Sequence, residues 1–150
     1  MPELRPLIEG FAYDAWANAR WIEAMPSSPF EQEGTTILEH IVQAERIWFD
    51  RVFGDEQLPP QSGDLASDLR AIAAAWAEAL VPADPGAYVV YTNMAGNTYY
   101  NTVEQIGRHV INHGTYHRGQ LRGLAQAHQW TGYPETDLIL YYRENPVETV

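Results

Sequence analysis

The sequence predicts an all-α fold: a four-helix bundle with a long crossover before the fourth helix and a short C-terminal helix. Three observations lead there. Four long segments repeat apolar residues at three- and four-residue steps, the period of a helix buried along one side. Breakers separate the first three of these segments, as in Pro26-Ser27-Ser28-Pro29 and in the stretch DEQLPPQSG. The chain has 150 residues, enough for one compact domain over residues 1–150 whose core needs no staples.

The first helix is expected over residues 3–25, with Leu7, Ile8, Phe11, Ala15, Ala19 and Ile22 as its buried stripe. The second is expected over residues 35–53. Thr35 or Thr36 caps it, and Glu39, three residues after Thr36, completes a capping box. Ile37, Ile41, Ala44, Trp48 and Val52 form its apolar face, His40 flanks that face, and Gly54 ends the helix. The third, over residues 64–80, buries Leu65, Leu69, Ile72, Trp76 and Leu80; its run AIAAAWAEAL has high helix propensity and lets a neighbour approach closely. The pattern then changes. PADPG reads as a turn, and AYVVYTNMAGNTYYNT, around Gly96, reads as a short hairpin or a pair of extended segments within the 82–101 crossover, where a substrate lid would sit. The fourth helix starts at residue 102 or 103 and runs to about 130, with Val103, Ile106, Val110, Leu121 and Leu124 on its core side and Gly132 and Pro134 marking its end. A last helix over residues 134–142 precedes a frayed tail, ENPVETV.

The fourth helix also carries the chemistry. Its stretch HVINHGTYHRGQ places His109, His113 and His117 four residues apart, on one helical face. Neutral imidazole is a common metal ligand, and two of them one turn apart can grip one ion. Both ends of the ladder cannot serve one ion, because eight residues span roughly 12 Å of axis against a metal–nitrogen distance near 2 Å. The pair is therefore His109/His113 or His113/His117, and a further ligand must come from elsewhere. His40, on the second helix, is the candidate; His128 falls at the helix end. A ladder of this spacing also arises from histidines packed on a half-buried face. Trp16, Trp48 and Trp76 read first as core. Gly119, inside a helix at a cost of up to about 1 kcal/mol, suggests close approach of another helix or chain. Arg118 has Asp14, Glu45 or Asp137 as ion-pair partners, or supports a ligand from the second shell.

Composition narrows the function classes. With no cysteine there is no thiolate site, so the donors point to a borderline metal such as zinc or nickel. The formal net charge of −11, from 20 acidic and 9 basic residues, repels phosphate backbones and anionic membranes, so neither nucleic acid nor membrane is an expected partner. No stretch approaches the roughly 20 apolar residues of a membrane span, and no apolar run follows a basic N-terminal segment, which leaves the cytoplasm as the expected compartment.

Three of these stretches resemble a known family. YDAWANARW looks like the first-helix signature of the DinB branch of the DinB/YfiT-like metalloenzyme superfamily, LEHIVQAERIWFDRV looks like its second helix, and NHGTYHRGQL is similar to its strongest motif. The closing TDLILYYRE fits as well, so the resemblance covers nearly the whole chain. By position it implies His40, His113 and His117 as metal ligands, with His109 left as a neighbour in the second shell. It also implies up-down-down-up helix order, a homodimer, and zinc or nickel as cofactor. Some relatives transfer bacillithiol or mycothiol, so a low-molecular-weight thiol joins a small-molecule substrate as an expected partner; the resemblance does not supply a reaction.

Three neutral imidazoles leave a divalent ion its full charge and at least one open position, the arrangement of catalytic rather than structural sites. Water or a thiol would fill it, so hydrolysis and thiol S-transfer need the same ligands. Glu45, five residues after His40, and Tyr116, beside His117, are the weak candidates for a catalytic residue. Two other readings are a non-catalytic metal- or ligand-binding bundle and a stress-linked interaction module.

Overall fold

The structure, a computed structural model, describes residues 4–146. The chain runs through α1 (Arg5–Ala24), a 3-10 turn at Met25–Ser27, α2 (Glu31–Phe53), α3 (Leu65–Leu80), β1 (Tyr88–Thr92), β2 (Thr98–Thr102), α4 (Val103–Ala127) and α5 (Leu138–Glu144). The four long helices form a bundle. On α1 and α4, a Cβ at Gly107 would meet Leu7 and one at Gly10 would meet Ile111, and Asp14 is bonded to Arg118, so these two helices ascend together. Between α2 and the α4 side the order reverses: Phe30 packs on Trp130, His40 on His117 and Trp48 on His109.

The core follows the apolar periodicity most closely on α3, where Leu69, Ile72, Trp76 and Leu80 are buried. Trp76 is the hub. Its ring stacks on Phe11 at 4.6 Å, packs edge-on against Phe49, and its Nε1–H donates to the Glu45 carbonyl at 3.0 Å. A second cluster, around Trp21, Met25, Phe30, Leu38 and Leu121, closes the other end.

Several expectations are corrected. On α1 the inward stripe is rotated: Ala19 is exposed and Ala15 half-buried, while Asp14, Asn18 and Trp21 are buried. A polar partner across the helix interface causes this, since Arg118 draws Asp14 and Asn18 inward. Helix α2 starts at Glu31, four residues before the expected Thr35, with Phe30 at the cap position and no side-chain cap. Glu31 and Glu33 in its first turn suit the positive end of the helix dipole. Thr36 does not cap; its hydroxyl donates back to the Gln32 carbonyl at 3.1 Å. Gly34 is tolerated inside this helix because a Cβ there would collide with the Met25 side chain.

Helix α4 opens with a capping box that the sequence reading did not single out, Thr102 accepting from Gln105 N and Gln105 returning to the Thr102 N–H. It closes at Ala127, earlier than the expected 130. Trp130 N–H reaches back to the Ala125 carbonyl at 2.9 Å while Gln129 takes φ 55°, the left-handed residue that terminates a helix. Helix α5 starts at Leu138 rather than 134, and its end is tied to α1: Arg20 and Trp16 both donate to Glu144. The expected helix start at Glu3, and residues 147–150 of the expected frayed tail, lie outside the described residues.

The all-α expectation holds for the bundle and not for the crossover. There β1 and β2 pair antiparallel, with Tyr88 opposite Thr102 and Val90 opposite Tyr100. Gly96 turns the hairpin at φ 86°, and the Asn93 carboxamide accepts from the Ala95 and Asn97 amides. Val89 and Tyr91 face the bundle, and Tyr88, Val90 and Tyr100 face solvent. Among the described residues no helix is long and apolar enough to cross a membrane.

Candidate metal centre

His40 from α2 and His113 and His117 from α4 converge, one ring nitrogen from each lying within 4.8 Å of the others. His40 Nε2 and His113 Nε2 are 3.2 Å apart. Two nitrogens on a tetrahedral zinc stand about 3.3 Å apart, given bonds of about 2.0–2.1 Å. The antiparallel packing of α2 on α4 supplies the third donor that one helix could not. His40 is exposed and the other two are half-buried, so the cluster opens to solvent.

The electrostatics favour the ligand form of the rings. His113 is pushed down to about 4, first by burial and then by the charges of His117, His40 and His109, with Asp14 opposing. His40 is also lowered, by burial first and by His117 second. Crowded imidazoles repel one another's protons, and a divalent ion requires them neutral. His117 Nδ1 lies 3.0 Å from Gln120 Oε1. A carboxamide oxygen only accepts, so Nδ1 carries the proton and Nε2 keeps its lone pair for a ligand. Gln120 was missed in the sequence reading; its i+3 spacing from His117 on one helix was the available signal. The donor set therefore fits a divalent ion.

The remaining expected residues fall elsewhere. His109 is exposed and packs edge-on against Trp48 at 5.2 Å, one step up the ladder, with its ring 5.9 Å from that of His113. Arg118 bonds Asp14 at 2.6 Å, Asn18 at 2.7 Å and Thr115 at 3.1 Å, none of them a candidate ligand. It closes a buried polar knot between α1 and α4, and Gly114 leaves room for the Asp14 carboxylate. Glu45 sits inside the bundle, and no donor faces either of its carboxyl oxygens among the described residues. Burial first, and the adjoining Asp14 carboxylate second, hold its pKa well above the usual carboxylate value. Burial thus favours the protonated form of Glu45. Tyr116 is 73% exposed, its ring turned edge-on to His117. Of the three tryptophans read as core, Trp76 is fully buried, while Trp48 and Trp16 are half-buried. Among the described residues nothing lies within 4 Å of a Cβ placed on Gly119, so no described helix presses on it.

A cavity of about 1080 Å³ runs between α1, α4 and the segment before α5, and none of the three converging histidines lines it. A smaller cleft of about 230 Å³ lies beside His109, between α2, the hairpin and α4. The chemistry of the donors, not the size of the hollow, marks the candidate site.

A helical bundle that brings three imidazoles from two facing helices to one point has the geometry to hold a metal ion. A family model described as the DinB superfamily matches residues 27–121, well over half of the chain and all three histidines, and the chain belongs to that superfamily. DinB-like proteins are metal-binding. The comparisons with curated proteins and with solved structures found no match.

Proposed function

We propose that this chain, read as a single domain over residues 1–150, is a metal-dependent enzyme acting on a small molecule, with zinc or nickel held by His40, His113 and His117. The convergence of three imidazole donors at an open face carries this reading. Such an ion, when bound, supplies Lewis acidity and lowers the pKa of a water or thiol in its open position. Hydrolysis and transfer of a low-molecular-weight thiol are the two reactions that arrangement serves. The protein's own part is geometric. Gln120 fixes the His117 tautomer, and the Arg118–Asp14–Asn18 knot fixes α4 against α1 just behind the ligands. The helix pairings fit the up-down-down-up order expected of the family. A cytoplasmic homodimer without nucleic-acid or membrane partners completes the reading, in keeping with the charge of −11.

The test is a screen of tag-free protein loaded with zinc or nickel, against ester and amide libraries and against thiols paired with electrophiles. Turnover that disappears in His113→Ala supports an enzyme. No turnover from fully loaded protein across both screens counts against it and favours a binding bundle.

A further inference from the structure

The cleft beside His109 is not needed to hold a metal, yet it adjoins the three-histidine cluster. Its lining is Trp48, Tyr91, Asn101, Gln105, Ile106 and His109, drawn from three elements. Trp48 meets Tyr91 at 5.0 Å and His109 at 5.2 Å, both edge-on, so three rings form one wall. Behind that wall the Arg51 guanidinium lies 4.5 Å from the Trp48 ring and 5.3 Å from the Tyr91 ring, fixing both and adding positive charge.

The polar groups of the cleft are arranged unequally. The Asn101 carboxamide oxygen accepts from the Tyr91 hydroxyl at 2.6 Å, and the Gln105 oxygen accepts from Asn101 at 3.1 Å and from the Thr102 amide at 3.0 Å. Both amide oxygens are therefore engaged. Among the described residues the Gln105 side-chain NH₂ has no protein partner, and Asn101 uses its own NH₂ only once. The site offers spare donors, the Gln105 oxygen is filled, and the Asn101 oxygen keeps one lone pair.

We propose that this cleft is a substrate subsite for a flat aromatic group carrying a hydrogen-bond acceptor, such as an aromatic carboxylate or carbonyl. Size agrees. A cavity of roughly 150 Å³ holds benzene, and about 230 Å³ leaves room for one ring and its acceptor. Rings bind in offset or edge-on contact with other rings, and the spare donors and Arg51 favour an electron-rich or anionic substituent. Position agrees too. His109 stands one helical turn, about 5.4 Å, from His113. A substituent of about two or three atoms on a ring in the cleft would span that turn. This assignment rests on the proposed metal centre for its catalytic meaning, but binding in the cleft does not require the ion.

The experiment is saturation-transfer NMR and calorimetry with benzoate as the probe, on metal-free and zinc-loaded protein. Cyclohexanecarboxylate and toluene test shape and acceptor separately. Benzoate is expected to bind metal-free protein, with ring-proton contacts to Trp48 and Tyr91, at least tenfold more tightly than either control. Trp48→Leu is expected to weaken it at least tenfold, with circular dichroism checking that the variant folds. Those ring-proton contacts need no variant, so the idea remains testable if Trp48→Leu unfolds. Binding seen only with zinc, and unchanged in Trp48→Leu, would mean that the carboxylate goes to the ion and would overturn the subsite; so would no binding in either form. Protein that takes up no zinc yet binds benzoate at Trp48 would instead remove the metalloenzyme reading and leave the aromatic site standing.

Discussion

Glu45→Gln makes the buried carboxyl cluster measurable. The substitution keeps shape and removes the ionisable proton. An acid whose folded pKa lies above its unfolded value holds its proton more tightly in the folded state. As pH rises past 4.5, the unfolded chain loses this proton first, and the folded state keeps it under the influence of burial and Asp14. Stability then falls by about 1.4 kcal/mol for each pH unit until the folded pKa is reached. The glutamine variant lacks this loss. Relative to the variant, the wild type should therefore be most stable below pH 4.5 and lose ground steadily above it. Urea unfolding of both proteins at pH 5, 6 and 7, with EDTA present, reads the difference; the histidines titrate alike in both and cancel. Parallel stability curves would refute the raised pKa of Glu45. So would a wild type that gains on the variant with rising pH, since that would mean an ionised Glu45 paired with Arg118.

Three further outcomes follow from the same contacts. Gln120→Leu removes the acceptor that orients His117 and should weaken zinc affinity by about 10- to 100-fold, read by chelator competition, while the unfolding midpoint of the metal-free protein moves little. Gly114→Ala should destabilise by about 1–3 kcal/mol through overpacking, because its Cβ would strike Asp14 and approach Arg118 Nη1 to 2.9 Å; a more stable variant would show that the knot is loose. Gly119→Ala, with nothing within 4 Å, should gain up to about 1 kcal/mol of helix propensity, and a loss in urea unfolding would point to a second chain on that face.

The helices were legible because their periodicity is local. Leu69, Ile72, Trp76 and Leu80 report their own burial, and β-branched residues beside aromatics around Gly96 report a hairpin. The errors share a cause, which is a partner distant in sequence. Asp14 was readable as one of three ion-pair partners for Arg118, but nothing local said that this pair, about a hundred positions apart, is buried and takes Asn18 with it. No capping side chain announces the start of α2. At the site, spacing alone left two histidine pairs open. The family resemblance favoured His113/His117, and the packing of α2 on α4 brings His40 to that pair. Gln120 could have been found from its i+3 spacing, whereas the cleft beside His109 needs the hairpin register and could not.

The most direct test of the central claim is elemental analysis of tag-free protein after exposure to zinc or nickel, alongside His40→Ala, His113→Ala and His109→Ala. The account predicts about one divalent ion per chain, lost in the first two variants and retained in His109→Ala. No metal in the wild type, or equal metal in all four proteins, would contradict it.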